Sequence, residues 1–133
     1  RIVSLEVSPG TLLTFWRPIC DSKYAIIGDC ISFGDRPPTK NVSVVAKGYG
    51  MVKEPLDFEC VITEENIKIW HPIAPEGYIS LGCIASDGGK PDTSDVYCIH
   101  RTLTIQALTE EYFSPASSIY SIVNVHNHFG NFI

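Results

Sequence analysis

The sequence has no long apolar run and no excess of positive charge. No window of about 18 residues is wholly apolar, and a transmembrane helix needs about 20. Ten basic residues face 15 acidic ones, giving a net charge of −5, so bulk electrostatics do not attract nucleic acid. With 44% apolar and 19% charged residues, the chain is neither disordered nor a coiled coil. We expect one folded domain that does not bind nucleic acid.

Signatures of catalysis and of cofactor binding are also missing. The chain has no Gly-x-Ser-x-Gly, no His-Glu-x-x-His and no glycine-rich phosphate loop between a strand and a helix. His126 and His128 lie two apart and would share a strand face, where His71 could join them. No carboxylate or cysteine with ligand spacing lies near them, however. We therefore expect no enzyme, no cofactor and no metal site.

Cysteine is present without the spacing of a disulfide framework or a zinc site. The five cysteines are odd in number and widely spaced, and no Cys-x-x-Cys occurs. They are Cys20, Cys30, Cys60, Cys83 and Cys98. Most lie in apolar runs, which predicts buried free thiols in a reducing compartment.

Short β-branched and aromatic runs, separated by glycine and proline, dominate the sequence. This pattern predicts an all-β fold of many short strands. The predicted strands are Ile2–Val7, Leu12–Trp16, Tyr24–Ile31, Val42–Ala46, Phe58–Thr63, Ile67–Trp70, Tyr78–Ala85, Val96–His100 and Ile119–Val125. One short helical turn is predicted at Thr109–Tyr112.

The sequence repeats itself after 54 residues. Without any gap, ten positions between residues 16 and 42 carry the same residue as the position 54 further on. These are Trp16, Pro18, Ile19, Tyr24, Gly28, Ser32, Gly34, Pro37, Thr39 and Val42, which match Trp70, Pro72, Ile73, Tyr78, Gly82, Ser86, Gly88, Pro91, Thr93 and Val96. Within the single domain 1–133, residues 12–46 form the first copy and residues 66–100 the second.

A third, partial copy is predicted at the end of the chain. Tyr120 stands about where the next tryptophan would fall, and residues 117–133 are too few for a full copy. We expect residues 1–8 to complete it, which would protect the sheet edge. Three repeated antiparallel sheets arranged in this way would be β-prism-like, and a β-sandwich is the alternative.

The repeated segments resemble a known family. Phe15-Trp16-Arg17-Pro18, with Tyr24 through Cys30, resembles the first half of the Vps62/VPS13-type repeat, and Ile69-Trp70-His71-Pro72, with Tyr78 through Cys83, resembles the second half. Val52–Phe58 is similar to its linker, and Tyr120 through Phe132 to its closing strand, with tyrosine in place of the usual tryptophan.

The resemblance implies a module of a vacuolar protein sorting-type protein. Such modules belong to, or are related to, bridge-like lipid transfer proteins at membrane contact sites, where they bind protein adaptors through short Pro-containing peptides. It implies a cytoplasmic protein, peripheral to organelle membranes through its parent, and an important asparagine that matches Asn127 best. Related targeting domains occur on secreted or vesicular pore-forming effectors, so binding of glycans or lipid head groups is the alternative. We expect the chain to be a fragment of a longer protein.

Two polar loops at equivalent positions of the copies are candidate binding segments, because binding residues concentrate on loops of a rigid scaffold. The first contains Arg36 and Pro37, and the second contains Asp87 and Lys90. Ordinary solvated turns are the other interpretation. Trp16, Trp70 and Tyr120 are interpreted as aromatic core plugs, although Trp16 and Trp70 could instead form a surface site for a peptide or a sugar.

Overall fold

The computed structural model describes residues 1–105, 108–113, 122–127 and 130–132, with side chains up to residue 105. Its regular structure is antiparallel β, with two short 3-10 turns at Thr93–Asp95 and Arg101–Leu103. The strands are β1 (Val3–Ser8), β2 (Thr11–Trp16), β3 (Tyr24–Ala25), β4 (Cys30–Phe33), β5 (Val45–Ala46), β6 (Val52–Lys53), β7 (Asp57–Glu64), β8 (Ile67–Ile73), β9 (Tyr78–Ile79), β10 (Ile84–Ser86), β11 (Cys98–His100), β12 (Leu108–Phe113), β13 (Ile122–Asn127) and β14 (Gly130–Phe132). This confirms the all-β prediction.

The two copies form sheets of the same design. The first sheet has the strand order β1-β2-β4, and the second has the equivalent order β7-β8-β10. A small sheet accompanies each of them, β3-β5 in the first copy and β6-β11-β9 in the second, and a further sheet has the order β12-β13-β14. The internally repeated antiparallel sheets predicted from the sequence are thereby confirmed, and the prism-like arrangement of three of them stays a prediction.

The main core lies between the first and second sheets and is built from equivalent residues. In β2 the alternation of the strand turns Leu13 and Phe15 toward the core, and their counterparts in β8, Ile67 and Ile69, belong to the same cluster. Ile31 of β4 and Ala85 of β10 complete it. The two copies therefore pack against each other through the same face.

The repeat also brings equivalent backbone into contact. A Cβ atom on Gly28 would lie 2.9 Å from the Cα atom of Gly82, its counterpart. Next to this contact, the main-chain N–H of Asp29 donates to the carbonyl of Cys83 at 3.0 Å. Glycine is required here because two main chains approach too closely for a side chain.

Three expectations from the sequence need correction. Residues 3–8 pair with β2 in the first sheet, and the described strands of the third sheet are β12, β13 and β14, so β1 completes the first copy rather than the third. The predicted helical turn at Thr109–Tyr112 is wrong, since these residues lie in β12, which pairs with β13. The segments Tyr24–Ile31 and Tyr78–Ala85 each contain two short strands separated by the contact of Gly28 with Gly82.

Among the residues that the structure places, no helix is long and apolar enough to span a membrane.

Candidate binding site in the first copy

Strand β4 lies at an edge of the first sheet, and its outer side faces a cavity. Among the described strands, β2 is its neighbour in the sheet. Gly34 N–H donates to the Leu12 carbonyl at 2.7 Å, and the register pairs Ile31 with Phe15. Hydrogen-bonded and non-hydrogen-bonded pairs alternate in an antiparallel ladder. The main-chain N–H and C=O of Ile31 therefore point away from β2, toward the cavity that Ile31 lines.

The cavity has a volume of about 380 Å³ and lies between β4 and the loop that follows it, residues 34–43. Ligand pockets in proteins range from about 300 to 1,000 Å³. Its apolar lining includes Ile27, Ile31 and Val42, and the cations Arg36 and Lys40 belong to its loop side. We call this space the first-copy cavity. Its size suits one or two side chains of a ligand that runs along β4.

The equivalent loop of the second copy has a different conformation, because hydrogen bonds within the loop hold it in a 3-10 turn. The Asp92 carboxylate accepts hydrogen bonds from the N–H of Ser94 at 2.8 Å and from its hydroxyl at 2.7 Å. The N–H of Asp92 donates in return to the Asp95 carboxylate at 3.1 Å, which makes a capping box for the 3-10 turn Thr93–Asp95.

The first copy cannot form that box. Pro38 stands where the second copy has Asp92, and it has neither a carboxylate nor an N–H. Lys40 and Asn41 replace Ser94 and Asp95. Val42, the counterpart of the fully buried Val96, is 42% exposed. The local sequence thus explains why this loop does not close onto the sheet.

The repeated tryptophans tie neighbouring strands together. The Trp16 indole N–H donates to the Ser32 hydroxyl at 2.9 Å, and the Trp70 indole N–H donates to the Ser86 hydroxyl at 2.9 Å. Ser32 in turn donates to the Arg36 carbonyl at 2.6 Å. Trp16 therefore also holds the start of the loop that borders the first-copy cavity. These contacts support the interpretation of both tryptophans as packing residues.

In the second sheet, an ion pair occupies the outer edge of β10, the strand that corresponds to β4. The Arg17 guanidinium donates to both oxygens of the Asp29 carboxylate, at 2.9 and 3.1 Å. Asp29 also accepts from the N–H of Ala85 at 2.8 Å, and Arg17 donates to the Ala85 carbonyl at 3.1 Å. Ala85 is the counterpart of Ile31. Side chains of the first copy thus occupy the outward main-chain groups of β10, as a pairing strand would.

Burial raises the pKa of the Asp29 carboxyl, and this effect outweighs the hydrogen bonds and the charge of Arg17, which lower it. Arg17 also lies 3.6 Å from a carboxylate oxygen of Asp95. The pair therefore links the first copy to both β10 and the closed loop of the second copy.

The counterparts of Arg17 and Asp29 are His71 and Cys83, whose Nδ1 and Sγ atoms lie 3.7 Å apart. Burial raises the pKa of the Cys83 thiol, and the negative charge of Asp29 adds to this effect. A reactive cysteine needs a lowered pKa, so this Cys–His pair lacks the electrostatics of a nucleophile. It also lacks the guanidinium fork that occupies the edge of β10.

The structure places the residues predicted to bind in different surroundings. Arg36 and Pro37 line the first-copy cavity. Lys90 forms an ion pair with Asp57, and Asp87 is exposed in the second loop. Neither of them lines the cavity.

Two predicted positions fall near the end of the chain. Asn127 is the last residue of β13 and pairs with Gly130 of β14, and its side chain lies outside the described part. Tyr120 lies wholly outside the described residues.

Sequence reasoning missed Cys30, Lys40 and Val42 as cavity residues. The signal was present in the positions at which the aligned copies differ, since Cys30 replaces Ile84 and Lys40 replaces Ser94. Identities between the copies mark shared packing, whereas these differences mark the cavity.

None of the five cysteines forms a disulfide. Cys98 is buried, Cys60 is exposed and the others are partly buried, so the expectation of burial is wrong for Cys60. Burial raises the pKa of the Cys30 and Cys98 thiols to about 11, and Asp29 adds to the effect at Cys30. Within the described part of the chain, no three His, Cys, Asp or Glu side chains are grouped to hold a metal ion.

These features define a class of protein: an internally repeated all-β domain with one copy closed and a cavity in the other. The family model of vacuolar protein sorting-associated protein 62 matches residues 39–128. The chain belongs to this family.

A solved structure has the same fold. The crystal structure of GNIP1Aa from Chromobacterium piscinae superposes with a TM-score of 0.69 at 17% sequence identity. The match covers 94% of this chain and 28% of that chain, so the chain spans less than a third of the length of GNIP1Aa. The comparison with curated proteins gives no match.

Proposed function

We propose that the domain is a non-catalytic binding module that takes an extended segment of a protein adaptor into the first-copy cavity. The observation that carries the proposal is the asymmetry of the repeat. The outer edge of β10 is occupied by Arg17 and Asp29, whereas that of β4 faces a cavity of about 380 Å³. An extended peptide beside β4 would pair with the outward main-chain groups of Ile31 and place alternate side chains in the cavity.

The resemblance to the Vps62/VPS13-type repeat supports a cellular role for such binding. On this proposal the parent protein works in the cytoplasm, peripheral to organelle membranes, and the domain recruits adaptors that carry short Pro-containing peptides. Thiols are kept reduced in the cytosol, in keeping with the five free cysteines.

The test is selection from a phage-displayed library of random nine-residue peptides, with and without a fixed central proline. We expect enrichment on the wild-type domain and loss of it on Val42→Trp, which places an indole in the cavity. Val61→Trp is the matched control, because Val61 is similarly exposed, at 49% against 42%, and lies outside the cavity. Thermal unfolding establishes that both variants are folded. Equal enrichment on both variants, or none on the wild type, would refute the proposal.

Binding of glycans or lipid head groups at a membrane surface is the second candidate. Tyr49 favours it, since this aromatic side chain is fully exposed at a loop tip and has a φ of 52°. Such a φ is uncommon for a non-glycine residue, and an observed outlier of this kind is grounds for a hypothesis of function. Reduced membrane binding of Tyr49→Ser in sedimentation with phosphatidylserine vesicles would support this candidate.

A count of thiols separates the two candidates. Five titratable thiols in denaturant without reductant favour the adaptor module, and a disulfide favours the secreted or vesicular alternative.

A further inference from the structure

We propose that the ends of the two small sheets, β3-β5 and β6-β11-β9, form one surface that binds an anionic lipid membrane. The inference rests on the second candidate function above, and it specifies the residues of the surface and the charge of the lipid. It does not depend on peptide binding in the first-copy cavity. Both copies contribute the same segment to this surface, so the repeat itself builds it.

The register of the small sheets fixes which residues of the two copies are equivalent. Tyr24 of β3 pairs with Ala46 of β5, and Tyr78 of β9 pairs with His100 of β11. Each residue of the second pair lies 54 positions after its counterpart in the first. The strands that lead into the surface therefore repeat in structure as they do in sequence.

The main-chain hydrogen bond that follows these pairs is also repeated. The N–H of Lys47 donates to the carbonyl of Lys23 at 2.8 Å, and the N–H of Arg101 donates to the carbonyl of Gly77 at 3.0 Å. A cation therefore leaves the small sheet at the same place in each copy.

Each cation begins a short exposed segment, residues 47–51 in the first copy and residues 101–105 in the second. We call these segments the paired tips. Two large apolar side chains follow the cation at alternate positions, and all four of them are exposed: Tyr49, Met51, Leu103 and Ile105. Tyr49 is wholly exposed, and its counterpart Leu103 is 48% exposed. The two copies thus present the same combination of charge and apolar surface.

The paired tips lie side by side. The N–H of His100 donates to the carbonyl of Met51 at 2.7 Å, so the end of the first tip contacts the residue that precedes the second. The Tyr78 hydroxyl donates to the carbonyl of Gly50, and its ring meets the His100 imidazole edge-on, with centroids 5.2 Å apart. These contacts join the two segments at one end of the sheet β6-β11-β9.

The charge of this surface is opposite to that of the whole chain. The net charge is −5, yet residues 45–53 and 96–108 contain no aspartate or glutamate and include Lys47, Lys53 and Arg101. Among the described residues, none of these three cations forms an ion pair. The surface therefore has positive charge that an anionic partner can neutralise.

Aromatic rings position two of these cations. The ammonium group of Lys47 lies 4.5 Å from the centre of the Tyr97 ring, and that of Lys53 lies 5.0 Å from the centre of the Tyr78 ring. Both lysines are exposed. The rings orient the ammonium groups near the paired tips without removing their charge.

This combination of side chains is suited to a membrane interface. Tyrosine rings favour the level of the lipid head groups, and exposed aliphatic side chains gain by burial at the boundary of the acyl chains. Each lysine or arginine near an anionic lipid surface adds to the attraction. No residue of the paired tips lines the first-copy cavity. A lipid surface can contact both tips at once, because they are adjacent and exposed.

Sedimentation of the domain with vesicles tests the charge of the lipid. The comparison is between vesicles of phosphatidylcholine alone and vesicles that also contain phosphatidylserine. We expect binding to the vesicles with phosphatidylserine and at least tenfold weaker binding to those without it. Binding should fall as the salt concentration rises, because salt screens the attraction between exposed charges.

Two matched pairs of variants test the location of the surface. Leu103→Ser should weaken binding about fivefold, whereas Val61→Ser, at a similarly exposed position in β7, should bind like the wild type. Lys47→Gln should also weaken binding about fivefold. Its control is Lys68→Gln, because the Lys68 ammonium group likewise lies over an aromatic ring, that of Trp70. Thermal unfolding establishes that the four variants are folded.

The outcomes separate the inference from the proposed functions. Equal binding to both kinds of vesicle that Tyr49→Ser weakens would overturn the anionic specificity and leave the second candidate standing. No binding to either kind would overturn both. Unchanged vesicle binding by Leu103→Ser and Lys47→Gln, or loss of peptide enrichment by Leu103→Ser, would also overturn the inference, the latter because the tips would then bind a protein segment. Peptide enrichment that depends only on Val42 tests the first-copy cavity separately.

Discussion

At the scale of single residues, the largest chemical difference between the copies is the exchange of Arg17 and Asp29 for His71 and Cys83. The Arg17 guanidinium joins a nearly buried carboxylate to main-chain groups of the other copy, whereas the His71 imidazole is exposed and lies near a thiol. The same backbone position therefore links the two copies in one case and is a surface residue in the other.

Replacement of Arg17 by methionine should be strongly destabilising. It leaves the Asp29 carboxylate, whose side chain is 4% exposed, without its cation, and an unpaired buried charge costs about 3–5 kcal/mol. His71→Met is the matched control and should change the free energy of unfolding by less than about 0.5 kcal/mol. Urea unfolding of both variants measures the difference. Equal effects would show that the ion pair does not hold the copies together.

Asp29 should also give the stability a characteristic pH dependence. Because burial raises its folded-state pKa above the ordinary value of 3.8, the folded state retains the proton over a window above that value. The free energy of unfolding contributed by Asp29 then falls as the pH rises through this window. The difference between wild type and Asp29→Asn, measured by urea unfolding across the acid range, isolates this contribution. If the free energy of unfolding of the wild type minus that of Asp29→Asn rose with pH, the assignment would be contradicted.

At the scale of elements, the two loops after β4 and β10 start from the same turn and end differently. Both contain Gly-x-x-Pro-x-Thr, but Asp92 fastens the second loop to Ser94 and Asp95, whereas Pro38 gives the first loop no such bond. A few side chains near the start of each loop thereby decide whether the space beside the strand is filled.

Two valine variants, one in each copy, should differ in how much they lower the free energy of unfolding. Val96→Ala removes a buried side chain from the cluster with Phe58, Trp70 and Ile84 and should cost on the order of 2 kcal/mol. Val42→Ala removes a half-exposed side chain at the cavity and should cost less than about 0.5 kcal/mol. Thermal or urea unfolding compares them, and comparable losses would mean that the first copy is closed in solution.

At the scale of the whole molecule, the copies are held together at positions that the repeat itself makes equivalent. Leu13 with Ile67 and Phe15 with Ile69 share one core, and the main chains meet where Gly28 faces Gly82. The repeat is thus a packing interface as well as a duplication of sequence.

Gly28→Ala should disturb that interface. Its methyl group would overlap with backbone of the other copy, and overpacking of this kind costs about 1–3 kcal/mol. Gly89→Ala is the control, because nothing lies within 4 Å of the added atom, and it should change the stability by no more than about 0.5 kcal/mol. Calorimetry of the two variants tests this, and a neutral Gly28→Ala would argue against close contact of the copies.

The sequence by itself determined the strands, the repeat and the family. Hydrophobic alternation and Gly/Pro turns are local features, and tryptophans 54 residues apart can be recognised without coordinates. The position of Arg36 and Pro37 on a loop of a repeated scaffold predicts them as binding candidates, and both line the first-copy cavity. The helical prediction at Thr109–Tyr112 failed because strand pairing overrode a weak local preference.

The local sequence gives the second loop its capping box, but the contacts between distant residues that close the second copy were decided by the tertiary structure. The decisive features join or separate groups that lie far apart in the sequence. Arg17 and Asp29 bind the main chain of Ala85, Lys90 pairs with Asp57, and Val42 is exposed. No local pattern encodes such contacts, because each depends on how two folded copies face each other. The repeat shows where the copies agree, and the packing shows that their differences leave a cavity in the first copy.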